Sequence, residues 1–392
     1  LTLGDRLMVT APTVADNIGP VGKIVTKTGG GDKLEVIFNE LIPDGLQTTV
    51  PSDALKKITL YDEDGTALQA FSSVDLKNLT WDQRDGRDVM TVHFPSKVTV
   101  GETDYFKIDY TGYIKDYSGN VIDSRPKAMP IGGGMNEPSH SFILGKGTME
   151  ILDGIREAAG GKTPKIAVTS SSDIGYQSCM DYFMSVKLQA AYGFALMGME
   201  PVMGGITVDT YKNSTIIAQT VKSFEDCTGM FGPGGDQAMN TRSYLKDDGS
   251  DTEQMRGLRQ IYYSGGIVSG SSAGDHSLSN PMLNGGESSE AIQYNKIEFS
   301  GAANWKAVPS DSVPLITPGF GFLKDYGLTD SHVNTRGRLG RIIVALKHIP
   351  EDAAASGISG IEVTPGIEKG IGIGVDEDTA LLVIGNTGRV LG

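Results

Sequence analysis

Residues able to do chemistry cluster in the second half of the chain, beginning with Gly270-Ser271-Ser272-Ala273-Gly274. This is a G-x-S-x-G pattern, entered from the apolar pair Ile267-Val268. A sharp strand-to-helix turn at such a pattern holds its middle serine in a strained conformation, which requires small residues on both sides. The turn lifts the hydroxyl above a sheet and aims helix N-terminal amides at any oxyanion formed beside it. A small-residue loop is the competing interpretation, so the partners of Ser272 decide its meaning.

A serine nucleophile needs a base, and the chain holds five histidines. His93 lies in a strand pattern, His140 sits in a loop near Pro138, and His348 follows an apolar run as at a helix end. His276 is so close behind Ser272 in sequence that it is not expected to reach back over the hydroxyl. His332 remains. It stands in Asp330-Ser-His-Val-Asn-Thr-Arg336-Gly-Arg338-Leu-Gly-Arg341, which crowds an acid, an imidazole and three guanidinium groups together. Such crowding points to a ligand site, and because Arg forks match carboxylates, to a ligand bearing one. A further acid must orient the imidazole. The turn Asp376-Glu377-Asp378, between apolar stretches, offers three candidates, with a surface hairpin as the alternative.

Two glycine-rich loops complete the set. Phe231-Gly-Pro-Gly-Gly-Asp-Gln237 follows a strand pattern, and Gly234-Gly235 allows close backbone approach to a ligand. It reads as the other half of an oxyanion hole, with Gln237 as a substrate-orienting donor and acceptor. Gly132-Gly133-Gly134 lacks the lysine of a P-loop and the spacing of a dinucleotide fingerprint, and reads as a tight turn.

Elements able to position these residues follow from periodicity. From residue 127 onward, strand patterns (127–131, 165–169, 228–231) alternate with helical ones (from a cap at Thr148, then 182–191, the stretch carrying Ile216, Ile217 and Val221, and 252–263). Such alternation implies a parallel sheet covered on both faces, with the site at the carboxyl ends of its strands. Residues 1–125 alternate with period two instead, in runs 33–38, 57–61, 89–94 and 105–110. Asp-Gly pairs at Asp44, Asp64 and Asp85 supply tight reversals, which implies a β-sandwich. Trp81 and Tyr110 are assigned to packing, and the acidic loop 62–64 to a hairpin turn rather than a calcium site. The boundary is placed at the linker near residues 121–126, giving segments 1–125 and 126–392.

At 392 residues the chain exceeds one ordinary domain. A formal net charge of −14 argues against nucleic acid as the main partner. No apolar run approaches the roughly 18 residues of a membrane span. Cys179 and Cys227 are free thiols or one disulfide, and their separation matches no metal motif. A start at Leu1 is expected of a processed form, and no metal or cofactor is needed by the chemistry above.

Residues 100–120 resemble bacterial Ig-like repeats of surface and secreted proteins, which implies an N-terminal Ig-like sandwich and secretion or surface display. The later motifs together resemble the cyanophycinase family of serine peptidases, which includes the aspartyl dipeptidases. They are Gly234-Gly235-Asp236-Gln237, Gly270-Ser271-Ser272-Ala273-Gly274, Asp330-x-His332 with Arg336-Gly-Arg338-Leu-Gly-Arg341, and Gly372-Ile-Gly-Val-Asp-Glu377-Asp-Thr-Ala. The resemblance spans residues 127–392 and implies a three-layer, glutamine-amidotransferase-like (flavodoxin-like) α/β fold with a parallel sheet. It implies a Ser272-His332-Glu377 triad and an oxyanion hole from the amides near Gly235, Asp236 and Ala273. Gln237, Asp330, Arg336, Arg338 and Arg341 would then shape a pocket for a peptide or cyanophycin-like polymer, and a homodimer is consistent with the family. Members release β-aspartyl-arginine dipeptides from cyanophycin or cleave short peptides after an aspartyl residue. The sequence departs from the pattern at Ser331, where a pocket-lining Gln is usual, and at Asp275, where Ala is usual. A binding protein that retains the fold without turnover is the competing interpretation. An amidotransferase-like hydrolase would need Cys at the elbow, and both cysteines lie elsewhere.

Overall fold

Period-two alternation in the first part of the chain produces antiparallel strands. The computed structural model describes residues 19–27, 29–43, 58–62, 65–71, 79–108, 114–135, 145–169, 191, 193–302 and 311–392. Its N-terminal strands are β1 (Gly22–Val25), β2 (Gly31–Phe38), β3 (Ile58–Tyr61), β4 (Ala67–Phe71), β5 (Leu79–Arg84), β6 (Arg87–Val98) and β7 (Tyr105–Ile108). They make two sheets, ordered β1-β2-β6-β5 and β4-β3-β7. Leu34, Val36, Phe38 and Val92 from the first meet Ile58, Leu60, Phe106 and Ile108 from the second in one apolar core. Asp85 and Gly86 join β5 to β6 with φ of 53° and 74°, the left-handed pair that matches strand twist in a tight hairpin. Trp81 packs against this core, stacked on Phe38 at 5.5 Å.

Alternating strands and helices follow: β8 (Lys127–Ile131), α1 (Lys146–Ala159), β9 (Lys165–Val168), β10 (Glu200–Met203), α2 (Ser214–Ser223), β11 (Gly229–Gly232) and α3 (Gln237–Tyr244). Next come α4 (Glu253–Tyr263), β12 (Ile267–Ser271), α5 (Ala273–Ser277), β13 (Met282–Leu283), α6 (Ser288–Tyr294), β14 (Glu298–Phe299) and β15 (Leu315–Thr317). The chain ends with β16 (Leu328–Asp330), α7 (Leu339–Ser356), α8 (Pro365–Glu368), β17 (Gly372–Gly374), β18 (Ala380–Ile384) and β19 (Thr387–Leu391). The main sheet is ordered β10-β9-β11-β12-β8-β18-β19.

Its first part is parallel, but β18 runs antiparallel to both β8 and β19. The expectation of a parallel sheet is therefore corrected to a mixed one. A tight turn between β18 and β19 can only return the chain antiparallel, whereas parallel neighbours need long crossovers. Successive residues point to opposite faces. Met129, Phe231 and Ile267 pack with Ile151, Leu152 and Ile155 of α1, whereas Ala128, Met230 and Val268 pack with Met255, Leu258 and Ile261 of α4. The result is a three-layer α/β arrangement, with helices on both sheet faces.

Two helix-end assignments are corrected. Helix α1 starts after Gly145, so Thr148 lies inside its first turn; the buried Thr148 hydroxyl instead donates to Asp378 Oδ1 at 3.1 Å. His348 lies within α7, whose end is a left-handed Gly357 that closes the helix without a side chain.

The N-terminal sheets rest on α4 and on the turn from α4 into β12. Lys23 Nζ donates to the Gly257 carbonyl at 3.3 Å, Ile24 N to Ser264 Oγ at 3.0 Å, and Gln260 Nε2 to the Phe106 carbonyl at 3.2 Å. Tyr105 stacks on Tyr263 at 4.0 Å, with Lys107 Nζ 4.2 Å from the Tyr263 ring centre. Cys227 is a buried free thiol; Cys179, Asp44, Asp64, Tyr110, His140 and residues 182–190 of the helix expected over 182–191 lie outside the described residues. Among the described residues no helix is long and apolar enough to cross a membrane.

Candidate active site

Ser272 occupies the point where β12 becomes α5, with φ of 55° and ψ of −115°. Such a conformation costs a non-glycine residue about 1–3 kcal/mol, and the surroundings must hold it. They do: Ser272 N donates to the Ile131 carbonyl at 3.0 Å. A Cβ on Gly274 would collide with the Gly232 carbonyl, so α5 approaches β11 more closely than any side chain permits.

His332 stands one residue beyond the end of β16, after Ser331, and is also left-handed, at φ of 52°. Its Nε2 lies 2.7 Å from Ser272 Oγ and its Nδ1 2.8 Å from Glu377 Oε1. A carboxylate only accepts, so Nδ1 carries the proton and Nε2 turns its lone pair to the serine hydroxyl. Burial pushes the His332 imidazole below its ordinary pKa; the Glu377 hydrogen bond opposes this and the Arg336 charge adds to it. Thr335 donates its hydroxyl to the other oxygen of Glu377. Of the neighbouring acids, Asp376 Oδ1 accepts from the Thr335 amide at 3.4 Å and competes with Glu377 for the single Thr335 hydroxyl proton, at 3.0 Å, and Asp378 accepts from Thr148.

The Phe231–Gln237 loop faces the serine. A Cβ on Gly234 would lie 3.7 Å from Ser272 Oγ. Asp236 caps α3, accepting from Ala238 N at 2.8 Å and from Met239 N. The amides of Gly235 and Ala273 donate to no acceptor among the described residues. Gln237 Nε2 points to the Leu283 carbonyl at 3.4 Å.

The charged segment after β16 divides. Arg336 is exposed. Arg338 Nη1 donates to the Ser331 carbonyl at 3.0 Å, its Nε is buried without a partner among the described residues, and desolvation lowers its pKa to about 10. Asp330 and Arg341 are corrected as pocket residues. They are 0% and 1% exposed and meet in a two-pronged pair, Nε to Oδ2 and Nη2 to Oδ1 both at 2.6 Å. A carboxylate buried this deeply must be neutralised in place, which commits the guanidinium to it. Ser331 is corrected too: it is 0% exposed, and its Oγ lies 2.9 Å from His276 Nε2 rather than in a pocket.

No protein-family model matches the chain. Part of it is similar to cyanophycinases. It is 32% identical over 167 residues to that of Synechococcus elongatus, covering 42% of this chain and 39% of the relative. It is 29% identical over 163 residues to that of a Nostoc species, covering 41% of each chain. The chain thus spans about two-fifths of the length of the curated relatives it matches. A solved peptidase from an acI-B1 Actinobacterium aligns at a TM-score of 0.43 and 18% identity, over 68% of this chain and 88% of that one.

Sequence reasoning passed over three contributors to the site. Gly132-Gly133-Gly134, read as a tight turn, forms a wall against the serine-histidine pair. A Cβ on Gly133 would lie 2.5 Å from His332 Cε1 and 3.0 Å from Ser272 Cβ, and the residue's φ is 97°. The signal was available, since a run of glycines at the carboxyl end of a strand permits such an approach. Thr335 lay within the charged segment but carried no motif. His276, set aside as a base, has a different place in the structure, between Leu283 and Ser331.

Proposed function

We propose that the chain is a serine peptidase that hydrolyses aspartyl-type peptide bonds, with cyanophycin or a related aspartyl peptide as substrate. The observation that carries this is the hydrogen-bonded series Ser272 Oγ, His332 Nε2, His332 Nδ1 and Glu377 Oε1, at 2.7 and 2.8 Å, set on a strained elbow. The similarity of part of the chain to cyanophycinases supports the substrate class.

His332 takes the Ser272 proton as Oγ attacks the scissile carbonyl carbon, and Glu377 holds the resulting imidazolium. The amides of Gly235, Asp236 and Ala273 are the donors assigned to the oxyanion in this mechanism. The imidazolium then protonates the leaving amine, and water deacylates the serine by the same route in reverse. Exposed Arg336, with Arg338 behind it, is the cation available to an aspartyl carboxylate. The same proposal takes the N-terminal sheets as an Ig-like module of a secreted or surface protein, a reading supported by their turn and strand pattern.

The test is product analysis after incubation with cyanophycin, β-aspartyl dipeptides and aspartyl-Xaa dipeptides. Ser272→Ala should lower kcat on the cleaved substrate by about 10^4-fold or more. Unchanged turnover in that variant would remove Ser272 as nucleophile, and no product from any substrate would remove the substrate class.

A further inference from the structure

His276 is buried beneath the elbow, 2% exposed, and takes no part in the proton transfer described above. Its Nδ1 lies 3.0 Å from the Leu283 carbonyl, and its Nε2 lies 2.9 Å from Ser331 Oγ and 3.4 Å from Ser331 N. A carbonyl only accepts, so the ring proton is on Nδ1 and Nε2 accepts from the Ser331 hydroxyl. The Leu283 carbonyl also receives Gln237 Nε2, at 3.4 Å. The elbow helix and the base-bearing turn therefore meet at one imidazole, through His276 and Ser331, and the glycine loop joins them through Gln237 at the shared Leu283 carbonyl.

We propose that His276 is a positioning residue that locks the elbow helix to the turn carrying His332 and so sets the Ser272–His332 distance. The inference rests on Ser272 and His332 being nucleophile and base. The leverage is short on both sides. His276 lies one helical turn beyond Ser272, and its amide approaches the Ser272 carbonyl at 3.4 Å. Ser331 is bonded covalently to His332. Both reacting residues have left-handed backbones, so their side-chain directions are set by the segments that hold them rather than by free rotation of the chain. A slip of one segment past the other changes the Oγ–Nε2 contact directly, and misplacement by about 1 Å costs on the order of 10²-fold in rate.

Burial keeps this imidazole neutral against the nearby acid. Asp330 Oδ1 is 3.4 Å from Nε2, but that carboxylate is already paired with Arg341, and Arg338 stands 3.5 Å away. Burial pushes the His276 pKa down to about 3, so the brace does not change with pH over the working range.

The experiment measures the rate of fluorophosphonate labelling of Ser272 across pH in the full chain, in Ser331→Ala, and in the double variant His276→Leu with Ser331→Ala. Ser331→Ala should label about 10-fold more slowly or worse at every pH, with the inflection of the pH profile unmoved. The double variant removes both side chains of the Nε2–Oγ hydrogen bond, so no side-chain polar atom of that bond is left unpaired, and the Leu283 carbonyl keeps Gln237 as a donor; part of the stability lost in Ser331→Ala is thereby restored. It should regain melting temperature and still label slowly; a merely structural role predicts that rate returns with stability. If Ser331→Ala does not fold, the double variant carries the comparison. Labelling of either folded variant at the native rate overturns the proposal. Absence of Ser272-dependent labelling in the native protein is a distinguishable result, since it removes the nucleophile itself and the brace with it.

Discussion

Asp275 offers the sharpest quantitative test of how this site is built. It follows the elbow glycine, is 0% exposed, and neither carboxyl oxygen has a hydrogen-bond partner among the described residues. Burial raises its pKa well above the ordinary carboxylate value, and the nearby Asp330 charge raises it further; Thr329 and Arg338 pull the other way. The folded state therefore holds a proton that the unfolded chain releases above about pH 3.9. Stability is lost as pH rises from that value toward the folded pKa, at about 1.4 kcal/mol per pH unit. The isosteric Asp275→Asn carries no such penalty. Its imperfect hydrogen bonding is independent of pH and cancels in the slope, as do the contributions of His276 and Arg338, which both proteins share. Urea unfolding of the two proteins from pH 4 to 8 should therefore show near-equal stability at the acid end and a widening advantage for Asp275→Asn above it. A gap that stays constant with pH would refute the protonated, desolvated carboxyl.

Arg341→Ala leaves the Asp330 carboxylate buried and unneutralised, and should cost about 3–5 kcal/mol in urea unfolding. A loss below about 1 kcal/mol would mean that the pair is replaceable by its neighbours. Gly133→Ala would set a methyl 2.5 Å from the His332 ring at a left-handed backbone, and should slow serine labelling about 10²-fold in a protein that still folds; a native rate would count against the glycine wall. Lys23 is held near pKa 8 by burial, whereas an unfolded lysine titrates near about 10.4. Between those values the unfolded chain binds the extra proton, so this residue's contribution to stability rises with pH from 8 to 10. Lys23→Met should abolish that part of the rise in thermal denaturation series, and identical slopes would disprove it.

Much of the fold was legible because local rules and tertiary outcome agree. The alternating runs around residues 33–38 and 89–94 bury one face and became β2 and β6. Asp85-Gly86 dictated its turn through backbone sterics alone. In the second part, apolar stretches between helical periods became β8, β9, β11 and β12, and Thr252 caps α4 by accepting from Met255 N. The antiparallel pairing of β18 escaped, because a strand's neighbours depend on how the chain returns and not on its own composition.

Ser272 and His332 were selected from residue types and order, and the small residues required around an elbow are visible in one dimension. Which of Asp376, Glu377 and Asp378 faces the imidazole is not, because all three are alike in charge and differ only in direction at a turn; the family resemblance singled out Glu377, and packing turns that carboxylate to His332. The arginine-rich segment looked uniform in sequence, yet burial separated it into an exposed Arg336 and an Arg341 committed to Asp330. Desolvation made that division, and desolvation exists only once distant segments cover a side chain.

What the sequence by itself determined were the elements and the local turns, including the elbow at Gly270 to Gly274, because sterics and periodicity act over a few residues. What only the tertiary structure decided is which polar groups meet. Ser331 faces His276 rather than a pocket, and Gly133 lies against His332 across the site. Those outcomes follow from the approach of segments far apart in the chain, where a hydrogen bond or a missing Cβ has meaning only once its partner has arrived.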